Sequence, residues 1–282
     1  MKKSKTELKT TTSKVCKCFD LTRDAYYKYL KRYKKEEREK KEVILLVKER
    51  RKIQTREGTR KLYKTLKKEF QAKELKVGRD RLFDILREYD MLVKRKKSYT
   101  KTTDSYHRFH KYSNLIKGFT PTAPNQVWVS DITYIRTVKG FCYLALITDV
   151  YSRKIVGYDV SDSLELAGCL RALKKALRQA RPAGDLIHHS DRGIQYCSRQ
   201  YVSLLQKNGV KISMTEENHC YENAIAERVN GILKDEFYLD QTFFTLAIAR
   251  KASKNAIKVY NTHRLHLSLG YKTPDSMFKI IA

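Results

Sequence analysis

From Val127 onward the chain changes its hydrophobic period, and that change limits the possible folds more than any other feature. Residues 127–135 (VWVSDITYI) alternate, residues 141–150 (FCYLALITDV) are almost continuously apolar, and residues 154–160 (KIVGYDV) follow a turn at Tyr151 to Arg153. Period-two patterning rich in β-branched and aromatic residues specifies strands, and connections this short make them an antiparallel meander. A helix is predicted over 164–178, with Leu166, Leu170, Leu173 and Leu177 on one face, followed by a strand over 186–190, a helix over 199–208, a strand over 210–214 and a helix over 223–237. Three strands followed by alternating helices and strands describe a mixed sheet flanked by helices, an α/β layered architecture.

The preceding part differs in both pattern and charge. Of 60 Lys and Arg against 31 Asp and Glu in the 282 residues, 38 basic and 16 acidic residues fall within 1–120, so most of the net +29 lies at the front. A surplus of that size calls for a polyanionic partner. Short helices are predicted at 13–19, at 23–32 capped by Thr22, at 36–51 around Val43, Ile44 and Val47, at 60–70 capped by Thr59, and at 79–89 after Gly78. Arg79, Arg81 and Arg87 lie off the apolar stripe of the last of these, Leu82, Ile85, Leu86 and Tyr89, as the second helix of a helix–turn–helix would require. Residues 94–117 stay basic, lose the period and carry Tyr99, Tyr106, Phe109 and Tyr112, so they read as a linker that tracks phosphates. The expected division is therefore a helical DNA-binding region over 1–93, a basic linker over 94–120, and an α/β core with a C-terminal helical extension over 121–282.

Other classes fall away. The longest apolar run, Phe141 to Ile147, is too short to span a bilayer, and the basic N-terminus is not followed by the apolar stretch of a secretory signal. The six cysteines, at 16, 18, 142, 169, 197 and 220, form no disulfide framework and read as reduced thiols of a cytosolic protein. The His107 and His110 pair lacks nearby cysteines, and Cys16 and Cys18 are too closely spaced for a usual zinc finger.

Three acids stand out. Asp131 shares the strand face of Val129 and Ile135, an odd place for an uncompensated charge. Asp191 follows the fourth strand in HHSDRG, at a strand end, where open α/β sheets place ligands. Glu227 lies on the last helix, in a stripe with Asn223, Asn230 and Lys234 beside the apolar stripe Ala226, Val229, Leu233 and Phe237. Carboxylates beside a polyanion are suited to holding Mg²⁺, which prefers carboxylate, water and phosphate oxygens. Of the remaining candidates, Asp149 reads as a structural acid pairing Arg153, Trp128 as core, and His188 as packed. His189, on the face of Asp191, either orients that carboxylate or touches DNA, and Asn223 either contacts DNA or caps its helix.

The 35 residues between Asp191 and Glu227, the Lys234 seven positions after Glu227, and the motifs WVSDITYI, HHSDRGIQYCS, ENAIAERVNGILKDEF and YNTHRLHLSLGYKTP together resemble the retroviral-integrase-type DDE transposases. Within them the likeness is to the second-reading-frame proteins of frameshifting bacterial insertion sequences. It covers about residues 120–280 with specific motifs and 12–115 more loosely. Glu222, where Asp is usual, and Leu265, where Pro is common, depart from the pattern without touching the acids.

The resemblance implies an RNase H-like catalytic core behind a helix–turn–helix region. It further implies Asp131, Asp191 and Glu227 as catalytic ligands of two divalent ions, Mg²⁺ with Mn²⁺ able to substitute, and Lys234 as a contact to terminal DNA. The implied activity is cleavage and transfer of DNA strands by a polynucleotidyl transferase. Its partners would be the terminal inverted repeats and target DNA, with a homo-oligomer on paired ends, an upstream-reading-frame fusion partner, and a place in the bacterial cytosol at the nucleoid. No covalent protein–DNA adduct is expected, since Tyr196 and Tyr221 lack an Arg-rich recombinase signature. The competing readings are a non-catalytic DNA-binding regulator that retains the core, and a nuclease that hydrolyses without joining.

Overall fold

The computed structural model describes residues 11–94, 110–180, 185–216 and 223–279. Most of the predicted basic linker, with His107, and the residues Cys220, Tyr221 and Glu222 lie outside them. The chain divides into two compact units, one of Met1–Lys52 with Gly58–Leu92 and one of Ile53–Glu57 with Val93–Ala282.

The first unit is helical: α1 (Thr12–Cys18), α2 (Arg23–Ile53), α3 (Thr59–Ala72) and α4 (Arg79–Glu88). Thr22 caps α2 as its sequence predicts, its Oγ1 accepting from the Ala25 amide at 3.1 Å. The two helices predicted over 23–32 and 36–51 are one. No Gly or Pro interrupts residues 33–35, strong helix formers occupy the junction, and α2 carries i,i+3 and i,i+4 ion pairs along its length, such as Lys28–Asp24 and Lys52–Glu49. At α3 the cap position belongs to Gly58, and Thr59 is buried in the first turn. Val43, Ile44 and Val47 of α2 meet Leu62, Leu66 and Phe70 of α3 and Leu82, Ile85 and Leu86 of α4 in one core.

In the second unit, β1 (Val127–Thr137), β2 (Gly140–Asp149), β3 (Ile155–Ser161), β4 (Ile187–Ser190) and β5 (Lys211–Met214) form a single sheet in the order β3-β2-β1-β4-β5. β2 is antiparallel to both neighbours, and β4 and β5 run parallel to β1. This is the RNase H-like arrangement. The helices are α5 (Leu166–Ala180), a short α6 (Ile194–Cys197), α7 (Arg199–Lys207), α8 (Ala224–Glu236), α9 (Leu246–His263) and α10 (Pro274–Lys279).

Strand alternation divides the side chains between two cores. Trp128, Ala145, Ile147 and Val156 pack against Leu173 and Ala176 of α5 and Tyr201 and Leu205 of α7. Ile135, Leu144, Leu146 and Val160 pack against Val229, Ile232 and Leu233 of α8 and Ala256, Ile257 and Tyr260 of α9. Trp128 is fully buried, as expected, and Asp131, three positions on, lies on the α8 face.

Gly157 of β3 lets α5 approach the sheet. A Cβ there would stand 2.4 Å from the Ala172 carbonyl oxygen and 2.7 Å from the Ala176 Cβ. Because one of these atoms is backbone, the helix itself must shift, so Gly157→Ala is expected to destabilise the protein by about 1–3 kcal/mol, measured by chemical denaturation.

Candidate active site

Asp131 is placed by β1 and held from two directions. Its Oδ1 accepts from the Ile132 amide at 2.8 Å, and its Oδ2 accepts from Asn230 Nδ2 of α8 at 2.6 Å. Both bonds favour the carboxylate, yet burial and repulsion from Asp191, with a further contribution from Glu227, push its pKa up to about 7. Among the described residues no ion pair reaches it. A partly buried acid bearing the repulsion of two others, with Lys234 near it but in no contact ion pair, is the main electrostatic anomaly of the sheet.

Asp191 lies just past β4, and its Oδ1 accepts from the Gly193 amide at 3.1 Å. A Cβ on Gly193 would come within 3.0 Å of that oxygen, which explains a glycine where the chain turns into α6. Glu227 occupies the first turn of α8, and Asn230 follows one turn later on the same face. Lys234, a turn further on, is half-buried. Burial lowers its pKa, while Asp131 and Asp240 pull it back up. The predicted stripe Glu227, Asn230, Lys234 thus faces Asp131. Asp191 and Glu227 both act electrostatically on Asp131, but among the described residues no three His, Cys, Asp or Glu side chains surround one ion-sized space.

Asn223 stands at the N-cap position of α8 without a side-chain cap bond; buried, it donates from Nδ2 to the Ser130 carbonyl at 3.1 Å, tying the start of α8 to β1 beside Asp131. His189 is fully buried and bonded to Ser213 Oγ at 2.8 Å, linking β4 to β5. Asp149 is the structural acid expected: it holds its turn by accepting from the Ser152 amide and hydroxyl and from the Asn125 amide, and Arg153 attracts it electrostatically.

His188 packs as predicted and also bonds, its Nε2 lying 2.6 Å from Ser130 Oγ and 3.0 Å from the Tyr201 hydroxyl. Burial, aided by His189, pushes its imidazole down to about 3, so it stays neutral. In the helical unit, Arg79, Arg81 and Arg87 lie on α4 and pair with Asp80, Glu39 and Asp84 at 2.8, 3.2 and 2.6 Å. Such surface pairs are worth about 0–1 kcal/mol each, little enough for a phosphate to displace.

The sheet order and the matches to known families together define an integrase-type polynucleotidyl transferase core. The integrase core domain family matches residues 121–220, and a second integrase core domain family matches 208–274. The chain is 38% identical over 266 residues to the insertion element IS600 uncharacterized 31 kDa protein of Shigella sonnei, covering 92% of this chain and 96% of that protein. It is 32% identical over 192 residues to transposase InsF for insertion sequence IS3A of Escherichia coli strain K12, covering 67% of each. The HTLV-2 integrase catalytic core domain in complex with magnesium aligns with 56% of this chain and 99% of its own, at 20% identity and a TM-score of 0.46. The chain belongs to the insertion-sequence transposases with an integrase core domain, and it is a DNA transposase.

Proposed function

We propose that the chain binds the terminal inverted repeats of an insertion sequence and cuts and rejoins DNA strands at Asp131, Asp191 and Glu227. The observation that carries this reading is Asp131, held on the sheet by the Ile132 amide and Asn230 and close enough to Asp191 and Glu227 that they and its own desolvation draw it toward protonation. Three carboxylates are an oxygen donor set that fits hard divalent cations, and Asp131, Asp191 and Glu227 would hold two of them, Mg²⁺ or Mn²⁺. When bound, such cations supply Lewis-acid stabilisation of charge on the reacting phosphate and acidify the attacking water or hydroxyl.

The chain's own residues do the rest. Asp131 is fixed by Ile132 and Asn230, and Lys234 presents a cation beside it to the backbone of the terminal DNA. Arg79, Arg81 and Arg87 exchange their acid partners for phosphates. No side chain acts as nucleophile. Tyr196 is 3% exposed, and burial, with neighbours that include Asp131 and Asp191, holds its phenol protonated. The freed 3′-hydroxyl of the element therefore attacks the next phosphodiester directly, forming a new phosphodiester while the P–O3′ bond of the attacked strand breaks and its 3′-oxygen leaves as a hydroxyl.

No helix among the described residues is long and apolar enough to cross a membrane. The chain would act as a homo-oligomer on paired element ends, at the nucleoid in the bacterial cytosol, with an upstream-reading-frame fusion as a further partner.

A strand-joining assay with labelled element ends tests the reading. Mg²⁺-dependent nicked and joined products are expected, without protein attached to DNA. Tight, salt-sensitive binding with no products would mean a regulator, and cleavage without joining a nuclease.

A further inference from the structure

We infer that Asn230 is the positioning residue of this site: it holds the Asp131 carboxylate in place to receive a divalent cation. The inference rests on the site proposed above. Asn230 is 6% exposed on the buried face of α8, among Ala226, Val229 and Leu233. An apolar residue would satisfy that position better, because burying an amide carries a desolvation cost that only hydrogen bonds recover. Asn230 recovers half of it. Its Oδ1 is buried with no hydrogen-bond partner among the described residues, while its Nδ2 donates to Asp131 Oδ2 at 2.6 Å. The bond to Asp131 is the polar contact that gives this amide a purpose.

The geometry suits that purpose. The Ile132 amide holds one oxygen of Asp131 and Asn230 the other, which fixes the rotation of the carboxylate. Each oxygen keeps a second lone pair for a metal. Because Asn230 lies one turn after Glu227, the same helix that carries one acid sets the orientation of another 99 positions away. Partners that orient metal-binding side chains in this way typically contribute about 10–100-fold to metal affinity.

The test is Mn²⁺ binding to the full-length, DNA-free protein, followed by electron paramagnetic resonance of the free ion, for wild type and Asn230→Leu. Affinity is expected to fall about tenfold in the variant with its melting temperature within a few degrees of wild type, since the unsatisfied amide oxygen is gone while the Asp131 oxygen loses its donor. In strand cleavage, the Mg²⁺ concentration for half-maximal rate should rise by a similar factor, with saturating Mg²⁺ restoring most of the rate. Asn230→Gln, which keeps the donor, should recover part of the affinity. If Asn230→Leu does not fold, Asn230→Ala carries the same expectation for Mn²⁺ affinity.

Unchanged Mn²⁺ affinity in a folded variant would overturn the inference, as would a rate loss that saturating Mg²⁺ cannot restore. Absence of Mn²⁺ binding by the wild type would overturn both this inference and the carboxylate site beneath it.

Discussion

Asp131→Asn, Asp191→Asn and Glu227→Gln should each reduce strand cleavage by about a thousandfold or more, equivalent to at least ~4 kcal/mol of lost transition-state stabilisation. Each amide keeps the shape of the acid but removes the negative charge that binds a divalent cation. Uptake of element-end DNA should stay within a few-fold of wild type, because it draws on the basic residues of the front and on Lys234. The measurement is single-turnover cleavage of labelled ends in Mg²⁺, paired with filter binding at fixed salt. A variant that cuts at near wild-type rate would remove that residue from the site. Loss of binding in step with cleavage would indicate a folding defect.

The same charges have a cost in the metal-free protein. Folding raises the pKa of Asp131 from its ordinary value near 3.8 to about 7. Between these values the unfolded chain releases the proton while the folded chain retains it, so stability from this group falls as pH rises, and the penalty is complete above about pH 7. At about 1.4 kcal/mol per unit, the penalty is on the order of a few kcal/mol. Asp131→Asn removes it but loses one of the two hydrogen bonds that Asp131 accepts, since an amide offers only one acceptor oxygen.

The net expectation is that the variant, in a chelator at pH 8, unfolds about 1–3 kcal/mol later than wild type. Near pH 4 the advantage should vanish. Mg²⁺ should then stabilise the wild type at pH 8 and leave the variant unchanged. Thermal melts across this range decide the matter. A variant that melts no higher than wild type at pH 8 would mean that the charge at Asp131 is not a burden in the folded protein. The site would thus trade stability for chemistry, as functional sites often do.

Much of this was legible before any coordinate. The alternation in 127–135 placed Trp128 in one core and Asp131 opposite, because side chains of a strand point alternately to its two faces. The helical period put Glu227, Asn230 and Lys234 on one stripe, and in the structure that stripe faces Asp131. Residues 33–35 were less legible. They fell between two separately predicted helices, but propensity without Gly or Pro carried α2 through.

His189 and Asn223 show where pattern reading stops. Local periodicity gives the face of a side chain but not the depth of what covers it. His189 lies between β1 and β5, and Asn223 reaches the Ser130 carbonyl 93 positions away. The same limit hid the importance of Asn230. A polar residue on a mostly apolar helix face is visible in the sequence, but its partner is not.

By itself, then, the chain's sequence determined the order of strands and helices and the family, and singled out three acids as candidates, since these depend on local period and on spacing. The tertiary structure alone decided which polar groups are buried together, and so which amide holds Asp131 and why its charge is costly. Desolvation and hydrogen bonding depend on neighbours that the fold brings from distant parts of the chain, and no local window of residues contains them.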